Sequence, residues 1–312
     1  MRVLFIGTGE VGLPTLGALQ GSKQFELIGL VTQPDKPAGR NQEIRPPATK
    51  DALVRARPDL PILQPARIKT PESIEQLHTL APDIIVVMAY GQILPRAVLE
   101  IPKVACLNLH ASLLPRWRGA SPIQAAVAAG DQETGITVMY MAEGLDTGDI
   151  LLQRKISITA NETGGSLHDR LAAIAPTALI DALELLRSGN APRSKQDDSA
   201  ATYASKLERD AGRIDWTQPA EVIERKIRAY DPWPGAFTRL TDQAGQTRNL
   251  KVFAATKTDQ AGLPGSIITA RGEDFVIGTG SGALRLNTTQ LEGKRRMTAG
   301  EFLRGTRPAA IS

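Results

Sequence analysis

Apolar runs of strand length punctuate the first half of the chain. Val3–Ile6, Leu27–Thr32, Ile84–Met88 and Val104–Leu109 each read as a strand, and Ile84–Met88 is uninterrupted, as in a strand buried on both sheet faces. Ile136–Met141 and Ile150–Ile156 follow with a short turn between them, which predicts an antiparallel pair. Apolar residues at helical spacing follow Gly12 and occupy Pro122–Ala129 and Ser166–Leu186. This alternation predicts a doubly wound α/β domain with antiparallel strands at one edge.

The pattern breaks near Ser188. Ser188–Thr202 is rich in Ser, Ala, Pro, Lys and Asp, has no apolar period and reads as a connection. A helix is expected at Ala220–Tyr230. Short strands are expected at Ala236–Leu240, Leu250–Ala255, Ser266–Thr269, Phe275–Gly278 and Ala283–Leu286, separated by Gly, Asp and Asn. Many short strands with turn signals predict a small β-barrel or sandwich.

Composition narrows the class. A length of 312 residues suits two domains of roughly 150 each. With 42% hydrophobic and 22% charged residues, the chain is an ordinary soluble globular one, and 4% aromatics imply an aliphatic core. One cysteine, Cys106, excludes an internal disulfide and a cysteine-cluster metal site, and suits a reducing cytosol. Cys106 lies in an apolar run and reads as a small buried hydrophobe. No stretch approaches the ~20 apolar residues of a membrane span. The net charge of +4 is too small to identify a nucleic-acid partner by itself.

Three features carry candidate chemistry. Gly7-x-Gly9-x-x-Gly12 matches a dinucleotide fingerprint, with Asp35 near the place of a ribose-binding acid. Asp35, however, stands beyond the expected strand end, in Gln33-Pro-Asp35-Lys-Pro37, so the glycines read rather as the tight first turn of an α/β fold. Asn108-Leu-His110 places two polar side chains on one face at a strand's C-terminal end, where open α/β sheets bind ligands. An amide and an imidazole can both donate to a developing oxyanion, although an isolated Asn-x-His is more often structural. Asp146 lies in the turn Gly144-Leu-Asp146-Thr-Gly148-Asp149, from which a carboxylate could reach back to His110, orient it and help move a proton.

Two longer runs make the pattern specific: Asn108-Leu-His110-Ala-Ser112-Leu-Leu-Pro115-Arg-Trp-Arg-Gly119 and the Gly144–Asp149 turn. With Thr32–Arg40, Met88–Pro95, Ser121–Gln124, Tyr203–Leu207 and Asp231-Pro-Trp-Pro-Gly235, the chain resembles the folate-dependent formyltransferase family over almost its full length. The resemblance implies a Rossmann-like formyltransferase domain over residues 1–188, a linker over 189–207 and an OB-like C-terminal β-barrel over 208–312. It implies attack of an amine, that of methionyl initiator tRNA, on the formyl carbon of 10-formyltetrahydrofolate. Asn108 and His110 would stabilise the oxyanion and Asp146 would orient His110 and help move the proton, with no metal, no nicotinamide and no covalent intermediate. Ser112 would then not be a nucleophile. Ser112, Leu113, Leu114, Pro115 and Gly119 would lie against the folate, and main chain around Met141 and Gly144 would grip its pterin. A cytoplasmic monomer, acting in translation initiation, is expected on the same ground. The chain departs from the family at Gly9, where Pro is usual, and after Arg40, where the family loop often carries more lysine.

Charge distribution bears on the acceptor. Gln33–Lys50 carries Lys36, Arg40, Arg45 and Lys50 against Asp35 and Glu43, a net +2. From Arg285 to Arg307 there are six positive residues, including Lys294, Arg295 and Arg296, against Glu292 and Glu301, a net +4. Lys36, Arg40, Arg45, Lys206, Lys294, Arg295 and Arg296 are the candidate tRNA contacts. Either segment also reads as an ordinary solvated face. The rival functions are a formyltransferase acting on a small amino sugar or glycinamide ribonucleotide, a nicotinamide oxidoreductase and a non-catalytic RNA-binding module.

Overall fold

The computed structural model describes residues 1–39 and 42–312, so Arg40 and Asn41 lie outside the described residues. The chain divides into two compact units interleaved in sequence. Met1–Gly119, Glu133–Ile156 and His168–Tyr203 form the first, and Ala120–Gln132, Ser157–Leu167 and Ala204–Ser312 the second.

The first unit is built on a sheet of seven strands: β1 (Arg2–Gly7), β2 (Glu26–Val31), β3 (Ile62–Leu63), β4 (Ile84–Met88), β5 (Ala105–His110), β6 (Glu133–Tyr140) and β7 (Ile150–Ser157). Their spatial order is β7-β6-β5-β4-β1-β2-β3. The strands from β5 to β3 are parallel, and β6 runs antiparallel to β5. The chain therefore winds outward from β1 in both directions, as the alternation of strands and helices predicts. Central strands carry side chains buried on both faces: every residue of β4 is buried, and so are Val3–Gly7 of β1. Each such aliphatic side chain contributes about 1.5–3 kcal/mol on burial. Cys106 belongs to this core, and burial pushes its thiol up to about 12, so it packs as a hydrophobe. The two-residue β3 has no counterpart in the sequence reading, because a pair of apolar residues behind Pro61 shows no period.

The second unit is an antiparallel, barrel-like sheet of seven strands: β8 (Ala236–Asp242), β9 (Thr247–Thr258), β10 (Ile267–Arg271), β11 (Asp274–Gly278), β12 (Ala283–Leu291), β13 (Met297–Thr298) and β14 (Pro308–Ile311). The order is β10-β11-β12-β9-β8-β14, with β13 pairing to β12, and the edge strands β10 and β14 approach one another. Leu240, Leu250, Phe275, Leu284 and Leu286 fill its interior with Ile223 and Ile227 of the helix Ala220–Ala229. Phe275 stacks on Phe302 with centroids 5.5 Å apart. Trp216 is an anchor of this core, its indole N–H donating to Thr238 Oγ1 at 3.0 Å.

Candidate active site

The site begins with the end of β5. Its register sets Asn108 beside Val87 of β4 and Met139 of β6, and His110 beside Thr137. Alternation along the strand turns Asn108 and His110 to one face, as their spacing predicts. Asn108 is half-buried and His110 is only 6% exposed.

His110 is held by a hydrogen bond at one ring nitrogen and faces a carboxylate at the other. Nε2 lies 2.8 Å from the Trp117 carbonyl oxygen. A carbonyl only accepts, so Nε2 carries the proton and donates. Nδ1 stands 3.6 Å from Asp146 Oδ2. In the neutral ring Nδ1 is therefore the open position, and a proton taken there would face the carboxylate. Asp146 accepts in turn from the Gly119 N–H, 2.8 Å away at the same oxygen. Both partners of His110 have left-handed backbone: Trp117 has φ 59° and Asp146 φ 52°. Among the described residues only Gln42, Ala81 and Ala89 share that feature outside glycine. Such conformations cost of order 1–3 kcal/mol and persist only where the surroundings impose them.

The surroundings that impose them are hydrogen bonds absent from the sequence reading. Gln196 Nε2 donates to both carbonyl oxygens of the acidic turn, Asp146 O and Gly148 O, each at 2.8 Å. Gln196 Oε1 accepts from Arg118 Nε at 3.1 Å and Nη2 at 2.9 Å. Arg118 is 2% exposed and its Nη2 also reaches Asp198 at 2.7 Å. Burial works against that charge, but hydrogen bonds to Asp198 and Tyr203 outweigh it and hold the guanidinium above its usual value. Thr202 Oγ1 accepts from the Trp117 N–H at 2.9 Å, and Thr202 O from the Arg118 N–H at 2.8 Å. Gly148 permits the tight turn, since a Cβ there would run into the Tyr140 carbonyl.

The Ser112–Pro115 segment is anchored as firmly. Ser112 is fully buried and its hydroxyl donates to Arg116 O at 2.6 Å, a geometry that leaves no nucleophile. Thr137 Oγ1 donates to Ser112 O at 2.6 Å and accepts from Leu114 N at 3.1 Å and Gln153 Nε2 at 2.9 Å. Leu114 is buried, while Leu113, Pro115 and Gly119 are half-buried. Met141 is half-buried and Ala142–Leu145, with Gly144 among them, are exposed, so their main chain is open to a ligand.

The glycine turn after β1 is engaged elsewhere. The N–H groups of Thr8 and Gly9 both donate to Ala89 O, at 3.2 and 3.3 Å. Asp35 is tied to Lys50 at 2.8 Å and to Gln64 at 2.7 Å, contacts that hold its carboxyl below the usual range, with Gln64 contributing most. Neither the donors nor the acid is presented as a dinucleotide site requires.

The candidate tRNA contacts are dispersed. Lys36 and Arg45 face each other across a short antiparallel ladder, Lys36–Ala38 with Glu43–Arg45, and both are exposed. Arg40 lies outside the described residues. Lys206, Lys294, Arg295 and Arg296 are exposed. Four of the six cations counted between Arg285 and Arg307 have a carboxylate within 4.0 Å: Arg285 with Asp274, Arg295 with Glu301, Arg296 with Asp231 and Arg304 with Glu273. Asp231, Glu273 and Asp274 come from outside the counted stretch, so the linear +4 overstates its field.

Comparison with known proteins places this geometry. The formyl transferase model matches residues 1–183, and a formyl transferase C-terminal domain model matches residues 206–307. The chain belongs to the formyl transferase family. This formyl transferase is 47% identical over 307 residues to the methionyl-tRNA formyltransferase of Pseudomonas entomophila, covering 98% of this chain and 96% of that protein. It is 44% identical to the methionyl-tRNA formyltransferase of Akkermansia muciniphila, with the same coverage of 98% and 96%. The solved structure of a sugar 3N-formyl transferase, with dTDP and 5-N-formyl-THF, shares the fold at a TM-score of 0.64 and 16% identity, covering 95% of this chain and 99% of that one. Among the described residues no helix is long and apolar enough to cross a membrane, and no His, Cys, Asp or Glu cluster has the grouping of a metal site.

Proposed function

We propose that this formyl transferase moves the formyl group of 10-formyltetrahydrofolate to the amino group of methionyl initiator tRNA, in the cytoplasm and as a monomer. The observation that carries the chemistry is His110, hydrogen-bonded to the Trp117 carbonyl on one side and facing Asp146 at 3.6 Å on the other, beside Asn108 at a strand end. The near-full-length similarity to methionyl-tRNA formyltransferases supports the acceptor.

The folate fits the exposed Ala142–Leu145 main chain together with the half-buried Leu113, Pro115 and Gly119, and it supplies an electrophilic formyl carbon on nitrogen. Buried Ser112 and Leu114 act by shaping that segment rather than by lining it. Asn108 donates from its amide to the oxygen that becomes negative. His110 joins it when Nε2 exchanges the Trp117 carbonyl for that oxygen. Asp146, facing His110 across the ring, helps move the proton off the attacking amine; when the tetrahedral intermediate collapses, the bond from the formyl carbon to the folate nitrogen breaks and that nitrogen leaves with the proton. We assign catalysis to residues 1–188 and tRNA recognition to 208–312 with the Lys36–Arg45 segment, joined through 189–207.

The test is transfer of labelled formyl groups to charged initiator and elongator methionyl-tRNAs and to a nucleotide-linked amino sugar. Transfer to the initiator form is expected. Transfer to the amino sugar with none to methionyl-tRNA would overturn the acceptor and keep the chemistry.

A further inference from the structure

Gln196 lies in a stretch whose sequence carries no periodicity and no motif, yet it makes two donor contacts with the turn that presents Asp146. The stretch is not loosely attached there: Ile150 and Ser194 exchange backbone hydrogen bonds at 2.8 and 3.0 Å, and Arg193 lies 3.6 Å over the Tyr140 ring. An amide is the group this place requires. Two carbonyl oxygens call for two N–H donors on one atom, and the Arg118 fork calls for an acceptor a few ångströms away. Only Gln or Asn carries both, and only Gln has the reach found here.

We propose that Gln196, oriented by buried Arg118, is a positioning residue for the formyl-transfer reaction. It touches neither reacting atom. It fixes the left-handed backbone of Asp146, and through it the 3.6 Å placement of the carboxylate against His110 Nδ1. A misplacement near 1 Å in a catalytic group costs about 100-fold in rate, so a turn freed from Gln196 should be slow without losing its substrates. This inference rests on the proposed function for its catalytic readout only.

Gln196→Ala removes both the donors and the acceptor. Gln196→Glu keeps the acceptor for Arg118 and removes the donors, so it separates turn positioning from the anchoring of Arg118. In both variants kcat should fall roughly 30- to 100-fold, while KM for folate and for tRNA stays within about threefold. A second readout does not need turnover. The chain has three histidines, His78, His110 and His168, so the ring nitrogen signals of His110 can be assigned by ¹⁵N NMR with a His110→Asn variant. In both Gln196 variants those signals should move toward the positions they take in Asp146→Asn. Unchanged His110 signals, a kcat within about threefold of wild type, or a kcat loss matched by an equal rise in both KM values would overturn the inference. If wild-type protein transfers no formyl group to methionyl-tRNA, the proposed function falls, and the His110 signals alone decide the role of Gln196.

Discussion

The surroundings of His110 and the Lys294–Arg296 stretch are both polar, but they hold their polar groups in opposite ways. Around His110 the side chains are buried or half-buried and each contact is fixed by a further one: Arg118 holds Gln196, Gln196 holds the acidic turn, and Asp146 stands against the ring. Along Lys294–Arg296 the cations are exposed, and the ion pairs of Arg295 and Arg296 leave the arginine side chains at least half open to solvent. Electrostatics in a water-poor, preorganised place can drive a bond-making step, because nothing has to reorganise as charge develops. Exposed cations contribute long-range, salt-screened attraction to an anionic partner instead. The first region should therefore fail sharply when one group is removed, and the second should fail gradually.

The sharpest break is at the proton acceptor. Asp146→Asn and His110→Asn should each lower kcat by about 1000-fold, within the range a lost general base produces. Both variants should retain the wild-type circular dichroism spectrum. Near-normal turnover in either would remove the pair from the mechanism. Asn108→Ala should follow with a loss of about 100-fold in kcat, as for a missing oxyanion donor, with KM for folate little changed. A parallel rise in KM would instead make Asn108 a ground-state binding group.

Next comes a test of the scaffold rather than the chemistry. Thr137→Val preserves shape and removes a hydroxyl that serves Ser112, Leu114 and Gln153. It leaves buried groups unpaired, which costs about 1–3 kcal/mol and should appear in urea unfolding. KM for folate should rise a few-fold while kcat remains near wild type. A large drop in kcat would mean that the Ser112–Pro115 segment also positions the reacting groups.

What could be read beforehand follows the same division. The parallel sheet was legible because fully buried strands such as Ile84–Met88 announce themselves as unbroken apolar runs. Asn108 and His110 were legible because strand alternation converts a spacing of two into a shared face. Arg118 stood inside a quoted motif without a role, since nothing local says that its charge is buried. Gln196 left no signal at all: it acts across a sequence separation of 50 residues from Asp146, through main-chain atoms that any residue supplies. The Lys36–Arg45 ladder was hidden because its strands are three residues long, too short to show a period. The charge of the C-terminal stretch was overcounted because Asp231, Glu273 and Asp274 enter it only through the fold.

The smallest effects belong to that stretch, and they separate recognition from stability. Arg296 stacks its guanidinium 4.0 Å over Phe253 and lies 3.6 Å from Asp231, whereas Lys294 sits in the exposed turn after β12. Arg296→Ala should therefore cost up to about 1 kcal/mol of stability, the usual size of an exposed cation–π contact with a weak ion pair. Glu301 is already engaged: hydrogen bonds from Arg295 and from the Thr298 N–H hold its carboxyl below the usual range, so Arg295 is not an independent charge either. Lys294→Ala should leave urea unfolding unchanged and raise KM for methionyl-tRNA about two- to fivefold, with the salt dependence of binding reduced by about one ion. The comparison is internal, because both variants lose one positive charge. If Lys294→Ala leaves KM and the salt slope at wild-type values while Arg296→Ala changes both, the cations that meet RNA are those the fold holds in place, and exposure alone is a poor guide to them.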